Sequence, residues 1–239
     1  MITAVRSYDQ MSRSFMFLFR NIHNSLFILS EGRGYIRCMA AEHRSNIFCL
    51  DTDQALTRIY SGGNDEQVIV HDTQTTDLVD CFQHEEPVNG LSVHPEQPNL
   101  FLTACSDGRI LMYDMRRPVK SEAIMITGCS YAFHSVQFNP VEHRLLVAAN
   151  QKTGIGLYDV RKPRSTVLNY NSKSSMHARF NSSGTQIVGL RKRMPPILFN
   201  IGDLIPVCEF DNPQYYNSCT MKSCCFGGPK DQYIFSGKT

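Results

Sequence analysis

Apolar residues gather in short runs along this chain. From about residue 43 onward the runs are roughly six residues long, either alternating with polar positions or apolar throughout. "VNGLSVHP" (Val88 to Pro95), "LFLTACS" (Leu100 to Ser106) and "RILMYD" (Arg109 to Asp114) are examples. Runs of this length and period predict β-strands. Turn pairs separate them: Asp107-Gly108, Asn139-Pro140, Ser183-Gly184 and Gly227-Gly228. No helical period is visible after residue 42. The runs also recur. "IYSGGNDEQVIVHD" aligns with "LTACSDGRILMYD", so that Asp65 matches Asp107 and Asp72 matches Asp114, both steps of 42; Asp159 follows at 45 and Asn200 at 41. Four short strands in a period of this length predict the blade of a β-propeller, because one such sheet cannot bury both faces and must stack on neighbours.

The start of the chain is different. "FMFLFRNIHNSLFILS" (Phe15 to Ser30) is apolar but holds Arg20, Asn21, His23 and Asn24. It is shorter than the ~20 residues a membrane helix needs, and Arg20 interrupts it too early for a signal peptide. Residues 1–42 are left unassigned and are not expected to be blade-like. The blades are placed at about 43–82, 84–128, 129–172, 173–213 and, incompletely, 214–239.

The His of the turn before each blade (His43, His84), the turn Asp and the aromatic-Asp strand ending resemble WD repeats. That resemblance implies a polar network of His84, Thr103, Asp107 and Tyr113 in the second blade. The first blade would use His43, Ser61 and Asp65, with His71 at the aromatic position. A buried turn carboxylate needs such partners, since an unpaired one costs several kcal/mol (about 2–7). The chain has no Trp, so every signature Trp is replaced. Lys152 stands at the turn-Asp position of the third blade and the fourth ends in Phe199-Asn200. These two blades are expected to rely on packing alone.

The fold class is therefore all-β: a WD-repeat β-propeller, expected to be incomplete, with about four and a half blades of a seven-bladed ring. An open blade face of roughly 500 Å² would forgo on the order of 12 kcal/mol of burial, and its strand edges invite aggregation.

Composition narrows the functional classes. Apolar residues are 42% and charged residues 19% of 239, with a net charge of +2. This is ordinary globular composition, and the charge implies neither a nucleic-acid nor a membrane partner. Nine cysteines at irregular spacing argue against a secreted disulfide framework. A reducing intracellular compartment, cytoplasm or nucleus, is expected. The chain has no nucleophile elbow, phosphate-binding loop, dinucleotide fingerprint or zinc-protease motif. Cys219, Cys224 and Cys225 lack a second ligand pair at zinc spacing and read as strand cysteines. No enzyme activity, cofactor or metal is expected.

Two features remain. "RKRMPP" puts Arg191, Lys192 and Arg193 at a b–c turn, either as a solvated hairpin tip or as a contact for an acidic partner. "YDMR" and "YDVR" place Asp114 with Arg116, and Asp159 with Arg161, after the third strand of consecutive blades. Each Arg either pairs with its own Asp or projects from the rim toward a partner. Endings of this kind resemble those of WD-repeat substrate receptors that dock on the damage-specific DNA-binding (DDB1-type) adaptor of cullin-4 ubiquitin ligases. Longer strings carry the same resemblance: "EHRSNIFCL", "AFHSVQFNPVEHRLL", "ARFNSSGTQIVGLRKRMPPILFNI" and "YYNSCTMKSCCFGGPKDQYIFSG". The similarity runs from about Glu42 to Gly237. It implies a non-catalytic receptor whose Asp114, Arg116, Asp159 and Arg161 face the adaptor. Glu66, Arg109, Arg191, Lys192 and Arg193, on the opposite rim, would face an unknown substrate protein. The alternative is a generic WD-repeat interaction scaffold without a ligase link.

Overall fold

A computed structural model describes residues 2–7, 15–20, 26–30, 36–39, 42–118, 122–170, 172, 174–217 and 223–236. Every regular element among them is a β-strand. The chain divides into two compact units, residues 1–91 and 92–239.

The first unit holds two four-stranded antiparallel sheets, β1–β4 (Ile2–Ser7, Phe15–Arg20, Leu26–Ser30, Ile36–Cys38) and β5–β8 (Ile47–Thr52, Arg58–Gly63, Gln67–Asp72, Leu78–Gln83). The sheet over Ile2–Cys38 corrects the expectation that residues 1–42 are not blade-like. The single apolar run from Phe15 to Ser30 is two strands, with Asn21, His23, Asn24 and Ser25 as the polar break between them in sequence. Met39, Ile47 and Ile59 form a core cluster of this unit.

Strand β9 (Val88–Val93) leads into the sheet completed by β10 (Leu100–Cys105), β11 (Arg109–Asp114) and β12 (Ile124–Gly128). Two further four-stranded sheets follow. One contains β13 (Phe133–Phe138), β14 (Leu145–Asn150), β15 (Gly154–Asp159) and β16 (Thr166–Asn169). The other contains β17 (Ser175–Phe180), β18 (Gln186–Arg191), β19 (Ile197–Asn200) and β20 (Pro206–Glu209). Last, β21 (Cys224–Gly227) pairs with β22 (Tyr233–Ser236). Among the described residues there are thus five sheets of four strands and one of two, above the four and a half expected.

Strand β14 shows why these sheets stack. Its side chains alternate between faces, as a strand's must. Leu146 and Ala148 enter a cluster with Leu102, Ile110, Ile126 and Phe138 of the preceding sheet's side. Val147 and Ala149 enter another with Ile155, Ala178, Phe180 and Ile187. A strand apolar on both faces is stable only between two neighbours. The fourth strands, by contrast, are largely exposed, β20 throughout. Side chains of the innermost strands tie sheet to sheet. Ser92 Oγ accepts from Phe138 N (3.1 Å), Ser135 Oγ from Ala178 N (3.0 Å) and Gln137 Oε1 from Phe180 N (2.8 Å).

Gly108 closes the β10–β11 turn at φ +85, and a Cβ there would stand 2.0 Å from the Cys129 carbonyl oxygen. Backbone cannot retreat as a flexible side chain can. Gly108→Ala is expected to lower unfolding stability by about 3 kcal/mol, strain plus clash, read as a shift in urea midpoint.

Candidate functional site

Each four-stranded sheet from β5 to β20 presents its a–b and c–d turns at one end and its b–c turn at the other. In the β9–β12 sheet the c–d turn sits beside the a–b turn, with Met115 N donating to Asn99 O (2.9 Å). Val160 N does the same to Arg144 O (2.9 Å) one sheet later. At both places the side chains form the same fork. Arg116 donates to Asp114 through Nε (2.8 Å) and Nη2 (2.8 Å), and its backbone N–H reaches Asp114 Oδ1 at 3.0 Å. Arg161 donates to Asp159 through Nε (3.1 Å) and Nη2 (2.7 Å), with its N–H at 2.9 Å.

Of the two alternatives left open by the spacing, the first is realised. The arginines pair with their own aspartates, yet their side chains stay 60% and 57% exposed. The fork holds Asp159 down to about 2 and Asp114 below its usual range, chiefly through the Arg side-chain hydrogen bonds. A guanidinium has five N–H donors. Two are spent on the Asp, which leaves three on an exposed side chain already fixed in orientation. The neighbouring sheets lack this device, since Asp72 is followed at that spacing by Gln74 and Asn200 by Gly202.

The b–c end is different. Glu66 is half-buried at φ +63, and its carbonyl accepts from His84 N (2.7 Å). Arg109 folds back onto Asp107 through Nε (2.6 Å). Arg191 corrects the sequence reading. It is only 5% exposed, and its Nη2 donates to Pro195 O (3.1 Å) and Glu209 (3.0 Å). It braces its own sheet, because an interior guanidinium must find acceptors. Lys192 and Arg193 are exposed.

Of the network residues, the structure brings together His43, Ser61 and Asp65. His43 Nδ1 donates to Asp65 Oδ2 (2.8 Å), and Ser61 Oγ lies 2.8 Å from Nε2. Burial lowers the His43 pKa although Asp65 pulls the other way. In the second unit, Asp107 is engaged by Arg109, Thr103 Oγ1 accepts from Cys105 Sγ (3.7 Å), and Tyr113 stacks on Phe101 with centroids 5.1 Å apart. His84, in the first unit, has Nδ1 3.1 Å from Phe82 O.

Comparison with known proteins agrees with this repeat geometry. Residues 76–114 match the WD domain, G-beta repeat family. The β-propeller domain of Myceliophteria thermophila Cps50 (Swd1) superposes at TM-score 0.81 with 15% identity, covering 99% of this chain and 78% of that one. This is a WD-repeat chain.

The WD-repeat chain is 51% identical over 203 residues to DDB1- and CUL4-associated factor 5 of Homo sapiens, and equally to that of Mus musculus. The match covers 83% of this chain and 22% of each relative, so the chain spans about a fifth of their length. WD and tetratricopeptide repeats protein 1 of Homo sapiens is 30% identical over 131 residues, 52% of this chain and 19% of that protein.

The WD-repeat blades without a turn Asp do not rely on packing alone, contrary to expectation. In the β13–β16 sheet Asn150 takes over. Its Nδ2 donates to Tyr131 O (2.8 Å), and its Oδ1 accepts from Lys152 N (2.9 Å) and Thr153 N (3.0 Å). In the next sheet Ser172 Oγ meets Ser175 Oγ (2.9 Å) and accepts from Ile155 N (3.0 Å). Sequence reasoning also missed a second set of clamps. Asp53, His94, Asn139 and Asn181 each accept backbone N–H groups of their a–b turn. The signal was present as a polar residue directly after each innermost strand, in "VHP", "FNP" and "FNS". Of the cysteine cluster, Cys219 lies outside the described residues. Cys224 Sγ packs 3.6 Å from His177 Nδ1, and burial pushes its thiol up to about 12. Among the described residues no group of three or more His, Cys, Asp or Glu is placed to hold a metal. No helix among them is long and apolar enough to cross a membrane.

Proposed function

We propose that this WD-repeat chain is the propeller part of a non-catalytic substrate receptor of a cullin-4 RING ubiquitin ligase, acting in the cytoplasm or nucleus. Asp114–Arg116 and Asp159–Arg161 dock the DDB1-type adaptor, and the b–c rim presents a target protein. The observation that carries this reading is the repeated fork. Two exposed guanidinium groups on consecutive sheets are oriented by their own carboxylates. Their ordering cost falls on folding and not on binding, so each contact with a partner carboxylate or carbonyl is gained at less entropy. The similarity to proteins named DDB1- and CUL4-associated factor 5 supports a DDB1-type adaptor as the partner. The receptor needs no reactive side chain. Holding a target beside the charged ubiquitin carrier raises the rate through proximity.

The test is capture of the adaptor by the wild-type chain and by an Arg116→Ala, Arg161→Ala double variant. Removing two charge-assisted contacts, at roughly 1.5–3 kcal/mol each, is expected to weaken capture by about 100-fold or more while the far-ultraviolet spectrum stays unchanged. Undiminished capture by the double variant defeats the docking assignment. Absence of the adaptor from wild-type pull-downs favours a propeller scaffold with no ligase link.

A further inference from the structure

Three cations on one end of the second unit have no acidic partner among the described residues. Lys152 lies in the β14–β15 turn, and Lys192 and Arg193 lie in the β18–β19 turn; all three are exposed. Two carboxylates at this end of the sheets are already taken, Asp107 by Arg109 and Glu209 by Arg191. The cations are also held. The Lys152 backbone is fixed by Asn150, its ammonium donates to Tyr131 Oη (2.6 Å), and it lies 4.3 Å from the centre of that ring. Lys192 N donates to Ser174 O (3.0 Å) and Arg193 N to Asn217 O (2.8 Å). Between the two turns stands His134, three residues beyond Tyr131 on β13. Both its ring nitrogens are buried without a hydrogen-bond partner among the described residues, and Lys192 is close enough to disfavour its protonation. Met194, 41% exposed, adds an apolar contact beside Arg193.

We infer that this rim binds an acidic segment of a protein partner, its carboxylates meeting Lys152, Lys192 and Arg193. The inference rests on the receptor reading for the claim that the segment belongs to a substrate. The chemistry of the rim itself does not depend on the ligase. The three cations are exposed and hold no ion pair among the described residues, so an arriving polyanion gains contact with them without breaking one. Nucleic acid fits less well. Three cations cannot track a phosphate backbone, and the Tyr131 ring already carries Lys152, so it is not an open platform for a base.

The probe is a short fluorescein-labelled peptide alternating Glu and Ser with one central Leu, titrated with the purified chain. Binding is expected, to be lost on raising salt from about 50 to about 200 mM as the charges are screened. A Lys152→Glu, Lys192→Glu, Arg193→Glu variant should bind roughly tenfold or more weakly, at about a few-fold per exposed ion pair. The substituted side chains are exposed, so the fold is retained, checked by circular dichroism. That variant should still capture the adaptor, and Arg116→Ala, Arg161→Ala should still bind the peptide. Failure of wild type to bind the peptide, or equal binding by the triple variant, overturns the inference. So does tighter binding of a single-stranded oligonucleotide of equal charge. Loss of adaptor capture alone bears on the receptor reading and leaves the rim assignment standing.

Discussion

Replacing Asn139 with alanine is expected to lower unfolding stability by about 3–5 kcal/mol, and to abolish most of the cost of a second substitution 45 positions away. Asn139 is 1% exposed and every side-chain polar atom is engaged. Its Oδ1 accepts from Val141 N (3.0 Å) and Glu142 N (2.9 Å), closing the a–b turn, and its Nδ2 donates to Gly184 O (2.8 Å) in the next sheet. Truncation removes three hydrogen bonds and leaves buried backbone groups unpaired, at about 1–3 kcal/mol for each group that water cannot reach. Gly184 sits at φ +68, and a Cβ on it would fall 2.2 Å from Asn139 Oδ1. Gly184→Ala alone should therefore cost about 3 kcal/mol, part conformational and part steric. In the Asn139→Ala background the steric part vanishes and only about 1 kcal/mol remains. Such non-additivity marks direct contact. The chain has no Trp, so urea transitions are followed by circular dichroism. Additive losses would show that the two turns do not touch.

That coupling illustrates how much of the molecule was legible in the sequence. The strands were legible because apolar runs of six residues bounded by Asp-Gly and Asn-Pro pairs have few other solutions, and the repeat made the propeller legible. The first sheet was not, because Phe15 to Ser30 reads as one apolar block when only composition is weighed. The polar break at Asn21 to Ser25 is as good a turn signal as those used later. The Asp-x-Arg spacing identified two positions but not their geometry. Whether Arg116 folds onto Asp114 is a matter of rotamer, which spacing does not specify. Arg191 was misread for the opposite reason. Three consecutive basic residues look alike in a sequence, yet Arg191 is the last residue of β18 and points inward, while Lys192 and Arg193 occupy the turn. The Asn150 clamp was hidden because the repeat was aligned on Asp alone, and the substitute stands two residues before Lys152.

Acid should destabilise this chain well before its carboxylates titrate. Burial lowers the pKa of His43, His94 and His134 below the ordinary 6.5, and desolvation with Arg179 alongside puts His177 well below it. In each case the folded state resists a proton that the unfolded state accepts at 6.5. The stability these neutral histidines preserve is complete above that pH, and it drains away as pH falls below it, toward the folded-state values. Each histidine that stays neutral removes about 1.4 kcal/mol per pH unit in that window. The neighbours set the order. Asp65 partly restores the basicity of His43, and Glu96 does so for His94 against the opposing His143. His134 faces Lys192 and His177 faces Arg179, and among the described residues no carboxylate offsets either cation. The last two should therefore dominate. The carboxylates work in a separate window. Asp159, held at about 2, contributes above the ordinary 3.8 and loses its contribution only below that. Urea midpoints are expected to stay level between about pH 7.5 and 6.5 and to fall from there toward about pH 5. His177→Asn should make that fall shallower, since an amide accepts from Cys224 N without titrating. A midpoint unchanged down to about pH 5 would mean that these rings take up protons in the folded state, and that the buried positions of His134 and His177 are wrong.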